Sequence, residues 1–465
     1  MRGEGQPPRL APAGCRFPEG RQGCFSLSEY PADGEGRVVH VYERWPGLGG
    51  QAATLPVGEG VLLERYYHHL FTSDRHIAGL YRDLGLPDGI EWLPSSVGFH
   101  TGGETHPFTS PLDLLRFPPL SLRSRLRMGL GVLRLRRHED AGPFEHITAR
   151  QWIARHMGEE SWDRVWGPLL GNKFGERAEE ISMAWLWSKL TVRRTGAEAK
   201  GEVLGYPRDT FEGLFQALAG AIEERDGKVM IDRPAARIEA RADRFAVLAG
   251  GPDSFRRGHD PRDFEISGDP EEYDAVIATV PNAVFEQLLE PALAARLAPG
   301  YLERLRSIEY HAAVCLLLEL DRDFGRFYWT NVGDAELPFV GLIEQTRLVD
   351  PSRYGGRRFL YVANYVPHGD PLLELDADEL LDHYEPGLRR VEPDFERSWV
   401  LERWLHREPD AQPIVTAGYG DRMPTLETGV PGLLLANTTQ VYPEDRGTNY
   451  AVRLGQEVAG LVRIG

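Results

Sequence analysis

The chain has 465 residues, of which 42% are hydrophobic and 26% charged, a globular composition long enough for two or three folding units. No apolar run approaches the roughly 20 residues of a membrane span, and the arginine-bearing N-terminus has no apolar signal core. A formal charge of −17 argues against a nucleic-acid binder, and Cys15, Cys24 and Cys315 make neither a disulfide framework nor a C-x-x-C metal site. Lysine stands at 173, 189, 200 and 228 alone, so arginine supplies nearly all the positive charge, as in GC-rich genomes.

Residues 1–36 are dominated by Gly, Pro and Arg and contain no run of four apolar residues, which reads as coil. The character then changes at once. Val38–Tyr42 is a short strand ending at Glu43, followed by the Gly-rich turn Pro46-Gly47-Leu48-Gly49-Gly50. Residues 60–200, rich in Leu, Arg and Trp, read as mainly helical. From 203 the pattern is α/β: a helix near 209–225, strands at Val229–Asp232, Arg237–Ala240 and Phe245–Ala249, an apolar stretch at Phe264–Ser267, and the buried strand Asp274–Thr279. Ala312–Leu320, Pro338–Ile343, Phe359–Val366 and Ser398–Leu405 read as an antiparallel sheet. The chain closes with a strand at Gly432–Ala436 and a helix from Thr448 to Val462.

The grammar therefore alternates. It gives an α/β class: a discontinuous Rossmann-like domain from 37–75, 205–300 and 410–465, incomplete at its N-terminus, and an α+β substrate domain with an antiparallel sheet from 76–204 and 301–409.

Glu43 ends the second strand, where a dinucleotide site places a carboxylate on ribose hydroxyls; a turn after an edge strand has the same look. Gly49 and Gly50 let backbone approach a pyrophosphate. Near the C-terminus a buried strand stops at Asn437-Thr438, and a helix opens at Thr448-Asn449 with free N–H groups for an anionic or carbonyl-rich edge, or simply an Asn/Thr cap. Tyr442 and Tyr450 flank that loop as candidate aromatic walls. His68-His69, Trp185 and Trp187 read as packing, Lys173 as a surface or capping residue or a proton relay, and Phe327–Asn331 as an alternating strand with half its aromatics in the core. No metal site, P-loop or G-x-S-x-G is present.

The segment E-R-W-P-G-L-G-G-Q at 43–51 resembles the E-x-x-x-x-x-G-G-R segment of flavin-containing amine oxidases, protoporphyrinogen oxidases and phytoene desaturases, with Gln51 where Arg is usual. Residues 432–462 resemble the closing motif of that family, with Asn437, Thr438 and Tyr450 replacing its Gly, Asp and Gly, and Ala451 and Gly455 kept. DAVIATVP at 274–281 resembles the family's strand before the linker into the substrate domain. The resemblance runs from about 38 to 465. It implies non-covalent FAD, with Glu43 on the adenosine ribose, Gly49, Gly50 and Gln51 along the pyrophosphate and flavin, Ala235 reading adenine, and Asn437, Thr438, Thr448, Asn449 and Tyr450 at the ribityl chain and flavin. It implies a cytoplasmic or membrane-peripheral FAD-dependent oxidoreductase acting by hydride transfer from a small organic substrate. The alternatives are a flavin-dependent nucleotide-sugar mutase or a non-catalytic product; no catalytic side chain is singled out.

One departure concerns the beginning. The family opens with strand, G-x-G-x-x-G and helix, whereas residues 1–36 offer a bare G-x-G at Gly34 and Gly36. They read as a frame or start-site error, or as a natural loss of the motif. The expectation is that they lie mostly outside the sheet as coil, leaving Val38–Tyr42 without its central neighbour and the chain unstable or flavin-free.

Residues 120–137 form a basic amphipathic helix. Leu122, Leu126, Leu130 and Leu133 recur at helical spacing beside Arg123, Arg127, Arg134 and Arg137. Such a helix lies on an anionic membrane surface, or is a helix of the substrate domain whose arginines are solvated.

Overall fold

The computed structural model describes residues 22–24, 37–58, 60–192, 202–252, 254 and 260–462. Its organising element is a five-stranded parallel sheet in the order Lys228–Met230, Val38–Tyr42, Gln22–Cys24, Ala275–Ala278, Leu433–Leu435. Val38–Tyr42, Ala275–Ala278 and Leu433–Leu435 are largely apolar because both faces of the sheet are covered there. On one face Val39, Val41, Ile277 and Leu434 pack against helices Arg75–Asp83, Thr210–Glu223 and Thr448–Ala459. On the other, Val276, Ala278, Leu433 and Leu435 meet Ile238, Phe245 and Phe285, carried by the antiparallel strands Ala235–Arg241 and Arg244–Ala249 and by helix Asn282–Leu288.

The central slot is filled. Gln22 pairs with Val38, and Cys24 pairs with His40 on one side and Val276 on the other. The expectation that residues 1–36 stay outside the sheet is overturned for this tripeptide. A three-residue strand needs no apolar run when its contribution is backbone hydrogen bonds, so composition gave no warning of it. The rest of 1–36 lies outside the described residues.

The second body is a seven-stranded sheet in the order 400–413, 310–320, 358–367, 341–344, 329–332, 97–101, 104–107, antiparallel throughout except where 329–332 pairs with 97–101. Its long strands alternate strictly. Ala312, Val314, Leu316 and Leu318 face helix Ala377–Val391, whereas Ala313, Cys315, Leu317, Tyr361 and Ala363 face Tyr66 and Tyr206. A helical cluster spanning 111–192 packs around Trp152, Trp162, Trp185 and Trp187, which are core residues as their spacing implies.

Three local readings change. The 60–200 stretch carries strands Val61–Glu64, Leu70–Phe71, Ile90–Pro94, Val97–Thr101 and Glu104–Pro107 as well as helices. Ile90–Pro94 is extended because Val203–Pro207 pairs with it from over a hundred residues away, a partner that local pattern does not reveal. Phe264–Ser267 is no strand: Ile266 makes one bridge to Gly250 and is exposed, and Glu271–Tyr273 takes the sheet edge instead. Finally, helix Leu122–Leu135 buries Ser124, Met128, Gly131 and Leu135, so its four periodic leucines point outward.

Candidate functional site

The parallel strands deliver their carboxyl ends to one edge, the place where open α/β sheets bind ligands. Glu43 follows Tyr42 there. Its backbone N–H donates to Met230 O and its carbonyl accepts from Arg233 N, so the strand end is fixed against the neighbouring strand. Its carboxylate accepts from the Trp45 N–H at 2.8 Å. Burial pushes the carboxyl upward, opposed by that N–H and by Arg44.

The following turn needs two glycines. Gly49 has φ +104°, and a Cβ there would sit 2.2 Å from the Phe215 ring. Gly50, at φ +55°, opens the short turn Gly50–Ala52 and has nothing within 4 Å of a built Cβ. One glycine thus lets the turn press onto helix Thr210–Glu223, and the other leaves its backbone open to a ligand.

At the far strand, Asn437 is fully engaged within the protein. Its amide donates to Val280 O and to Asn282 Oδ1, and its Oδ1 accepts from Thr439 N, capping the turn Thr438–Gln440. It ties the ends of strands 275–278 and 433–435 together, and Thr438 beside it is half-buried. Asn449 accepts from His76 N and Ile77 N, so its side chain caps helix Arg75–Asp83. Tyr450 packs on the helical face of the parallel sheet with Arg453 over its ring. Thr448 opens a twelve-residue helix that has no side-chain cap. Ala235 begins its strand opposite Ala249, on the other face of the sheet.

Sequence reasoning stepped over the residues just before that helix. Asp445 Oδ2 accepts from Lys173 Nζ at 2.7 Å and Lys189 Nζ at 2.6 Å, and Trp185 Nε1 reaches Oδ1 at 3.3 Å. Against the burial that would raise it, Lys173, Lys189 and Arg446 hold the Asp445 carboxyl far below the ordinary range. Lys173 is therefore an interior partner of Asp445, with its side chain 16% exposed, and the surface or capping role read for it is wrong. Its helix carries it under Trp185 and Tyr365.

Arg446 joins the two bodies. Its guanidinium donates to Gln412 Oε1 at 3.0 Å and Tyr365 OH at 2.6 Å on the antiparallel sheet, and to Gln51 Oε1 at 3.2 Å beside the glycine turn. The cavity there is lined by Gln51, Tyr66, Tyr67, His68, Tyr365 and Arg446, with the small residues Ala313, Cys315 and Ala363 as its floor. The His68 Nδ1–H donates to Tyr66 O at 2.8 Å, and burial holds this histidine down at about 4, so it is neutral. Trp329 packs edge-on to Tyr67 at 5.0 Å. Tyr442, by contrast, is tied to Ser182 and Glu145 at the helical cluster. A larger hollow of about 450 Å³ under Arg326, Glu344 and Arg347 gathers none of these residues.

The residues present fit FAD. Gly50 leaves open space beside exposed backbone, the Tyr66 hydroxyl is buried in the cavity wall without a partner, and a buried guanidinium stands two residues before an uncapped helix N-terminus. Among the described residues no cluster of His, Cys, Asp and Glu is able to hold a metal.

A parallel sheet whose carboxyl ends face an antiparallel sheet across such a cleft is an architecture suited to a nucleotide cofactor. The chain belongs to the flavin-containing amine oxidoreductase family, whose model matches residues 34–462. It is an FAD-dependent oxidoreductase of the amine oxidase type. Among solved structures it is similar to a provisionally named protoporphyrinogen oxidase from Exiguobacterium sp. 255-15, with TM-score 0.70, 15% identity, and coverage of 96% of this chain and 99% of that one. A putrescine oxidase gives TM-score 0.66 at 14% identity over 95% and 98% of the two chains. A UDP-galactopyranose mutase gives 0.65 at 14% identity over 94% of each. No curated protein sequence matches the chain significantly. No described helix is long and apolar enough to cross a membrane.

Proposed function

We propose that the cleft between the two sheets holds FAD, with Glu43 at the adenosine end and Gln51, Tyr66 and Arg446 toward the flavin, and that a small organic substrate enters from the side of the antiparallel sheet. The observation that carries this reading is the Gln51–Arg446–Tyr365 bridge, which links the glycine turn to the substrate sheet through one buried cation. Arg446, on the loop before helix Thr448–Ala459, supplies beside Gln51 the charge that the family usually places at the position of Gln51. When bound, FAD supplies two-electron oxidation of a C–H bond. The chain's own residues then position and exclude. Tyr67, backed by Trp329, and Tyr365 wall the cavity against water, neutral His68 adds no charge, and the Lys173–Asp445 pair fixes the loop that carries Arg446.

A nucleotide-sugar mutase needs several cations for a diphosphate, whereas Arg446 is the one cation among the residues lining this cavity and is already held by three neutral partners. The test is a turnover assay on the flavin-loaded protein, with oxygen and a soluble quinone as acceptors and a panel of polyamines, porphyrinogens and UDP-galactopyranose as substrates. Acceptor reduction by an amine or porphyrinogen supports the oxidase reading. Conversion of the nucleotide sugar without net acceptor consumption overturns it.

A further inference from the structure

We propose that the outward face of helix Leu122–Leu135 seats the protein on an anionic lipid surface. The helix has two apolar faces, and the fold uses one. Ser124, Met128, Gly131 and Leu135 are buried, whereas Leu122, Leu126, Leu130 and Leu133 are 63%, 51%, 66% and 54% exposed. At about 100° per residue those four leucines fall within one narrow arc opposite the buried face. Arg123, Arg127 and Arg134 flank that arc on one side and Arg125 on the other, with Arg136 and Arg137 following at the helix end. Leu112 and Leu115, on the adjoining helix Pro111–Leu115, extend the apolar crest. Patches of this kind on a folded surface mark an interaction site.

Charge selects the occupant. Between Asp113 and Glu139 the sequence contains no acidic residue, in a chain whose net charge is −17. Arg116, Arg123, Arg134, Arg136 and Arg137 are all exposed, and among the described residues none of them pairs with a carboxylate. Glu160, the nearest acid to the helix start, is spent on Ser121 and Ser124. An apolar crest between two basic flanks is the cross-section of a helix lying at the boundary of headgroups and acyl chains. A two-fold dimer through the same face sets arginine rows against each other, because both partners present the same patch. An anionic bilayer satisfies both the crest and the flanks.

The test is flotation of the full chain with vesicles of phosphatidylcholine, alone or with one-third phosphatidylglycerol, at low and high salt. The expected result is co-flotation with the anionic vesicles at low salt, release at high salt, and little binding to the neutral ones. Leu126→Glu/Leu130→Glu, at exposed positions, is expected to lower partitioning at least tenfold with unchanged flavin content. Arg123→Gln/Arg137→Gln is expected to lower it about fivefold per arginine on anionic vesicles alone. Absence of flotation in the parent, or flotation unchanged in both variants, overturns the proposal. So does light scattering that shows a dimer which Leu126→Glu/Leu130→Glu splits, since a second copy then covers the crest.

Discussion

Asp445→Asn removes one negative charge from the most densely cationic point of the interior while leaving shape and one acceptor in place. Lys173 Nζ and Lys189 Nζ both lie within hydrogen-bond distance of the same carboxylate oxygen, and Arg446 is the next residue. Lys189 is 36% exposed and partly screened by water, so its share is small. Lys173 is interior, and stripping a buried cation of its partner costs about 3–5 kcal/mol. Urea unfolding followed by tryptophan fluorescence reads the loss directly, because the Trp185 indole touches the cluster. The double variant Lys173→Met/Asp445→Asn, which removes the stranded cation as well, is expected to recover about 1–3 kcal/mol of it. The pH dependence has a definite sign. The folded-state value for Asp445 lies below the unfolded one, so its contribution is complete above about pH 4 and is lost as pH falls below that. The gap between parent and variant therefore narrows in acid. Asp445→Asn within 1 kcal/mol of the parent at neutral pH, or a gap that widens in acid, refutes the reasoning.

Three further outcomes follow from other parts of the molecule. Glu43→Ala is expected to weaken FAD binding by about 1.5–3 kcal/mol, roughly ten- to more than a hundredfold in Kd, through loss of a charge-assisted acceptor; fluorescence titration of flavin-stripped protein measures it. Gly49→Ala combines a left-handed backbone with a Cβ inside the Phe215 ring, and is expected to lose at least about 1–3 kcal/mol of stability, read as a lower melting temperature. Glu344, buried at the end of strand Gly341–Glu344, is pushed up to about 7 by burial, against the N–H groups of Phe324 and Gly325 and the Arg347 charge. Its folded-state value lies above the unfolded one, so it subtracts stability as pH rises from about 4.5 to 7, by about 3 kcal/mol in all. Glu344→Gln is expected to flatten that slope in urea titrations across the same window, and an unchanged slope rules the assignment out.

What was legible in the sequence was whatever local pattern encodes. Strands buried on both faces, such as Ala275–Ala278 and Tyr310–Leu320, declare themselves as near-continuous apolar runs. The glycine turn after Glu43 declares itself by residue type, and the structure shows why both glycines are needed. Strands held by distant partners did not: Ile90–Pro94 is extended because of Val203–Pro207, and Gln22–Cys24 because two neighbours require a third ladder between them. The leucine period of helix Leu122–Leu135 was visible, but period alone does not say which face turns inward; Met128, Gly131 and Leu135 were the inner set. In the cleft, the helix start at Thr448 drew the eye past Asp445 and Arg446. Their importance arises from Lys173, Lys189, Gln51 and Tyr365, which converge from four separate stretches of chain.

The most direct measurement of the central claim is the flavin content of the full chain and of Arg446→Met, before and after incubation with excess FAD, in protein whose folded state is confirmed by circular dichroism. Binding in the cleft predicts close to one FAD per folded parent chain, released intact on denaturation because no covalent link is made. It also predicts that Arg446→Met stays folded and holds far less FAD at equal ligand concentration. A folded parent that takes up no FAD under reconstitution contradicts the account, as does an Arg446→Met chain that retains it undiminished.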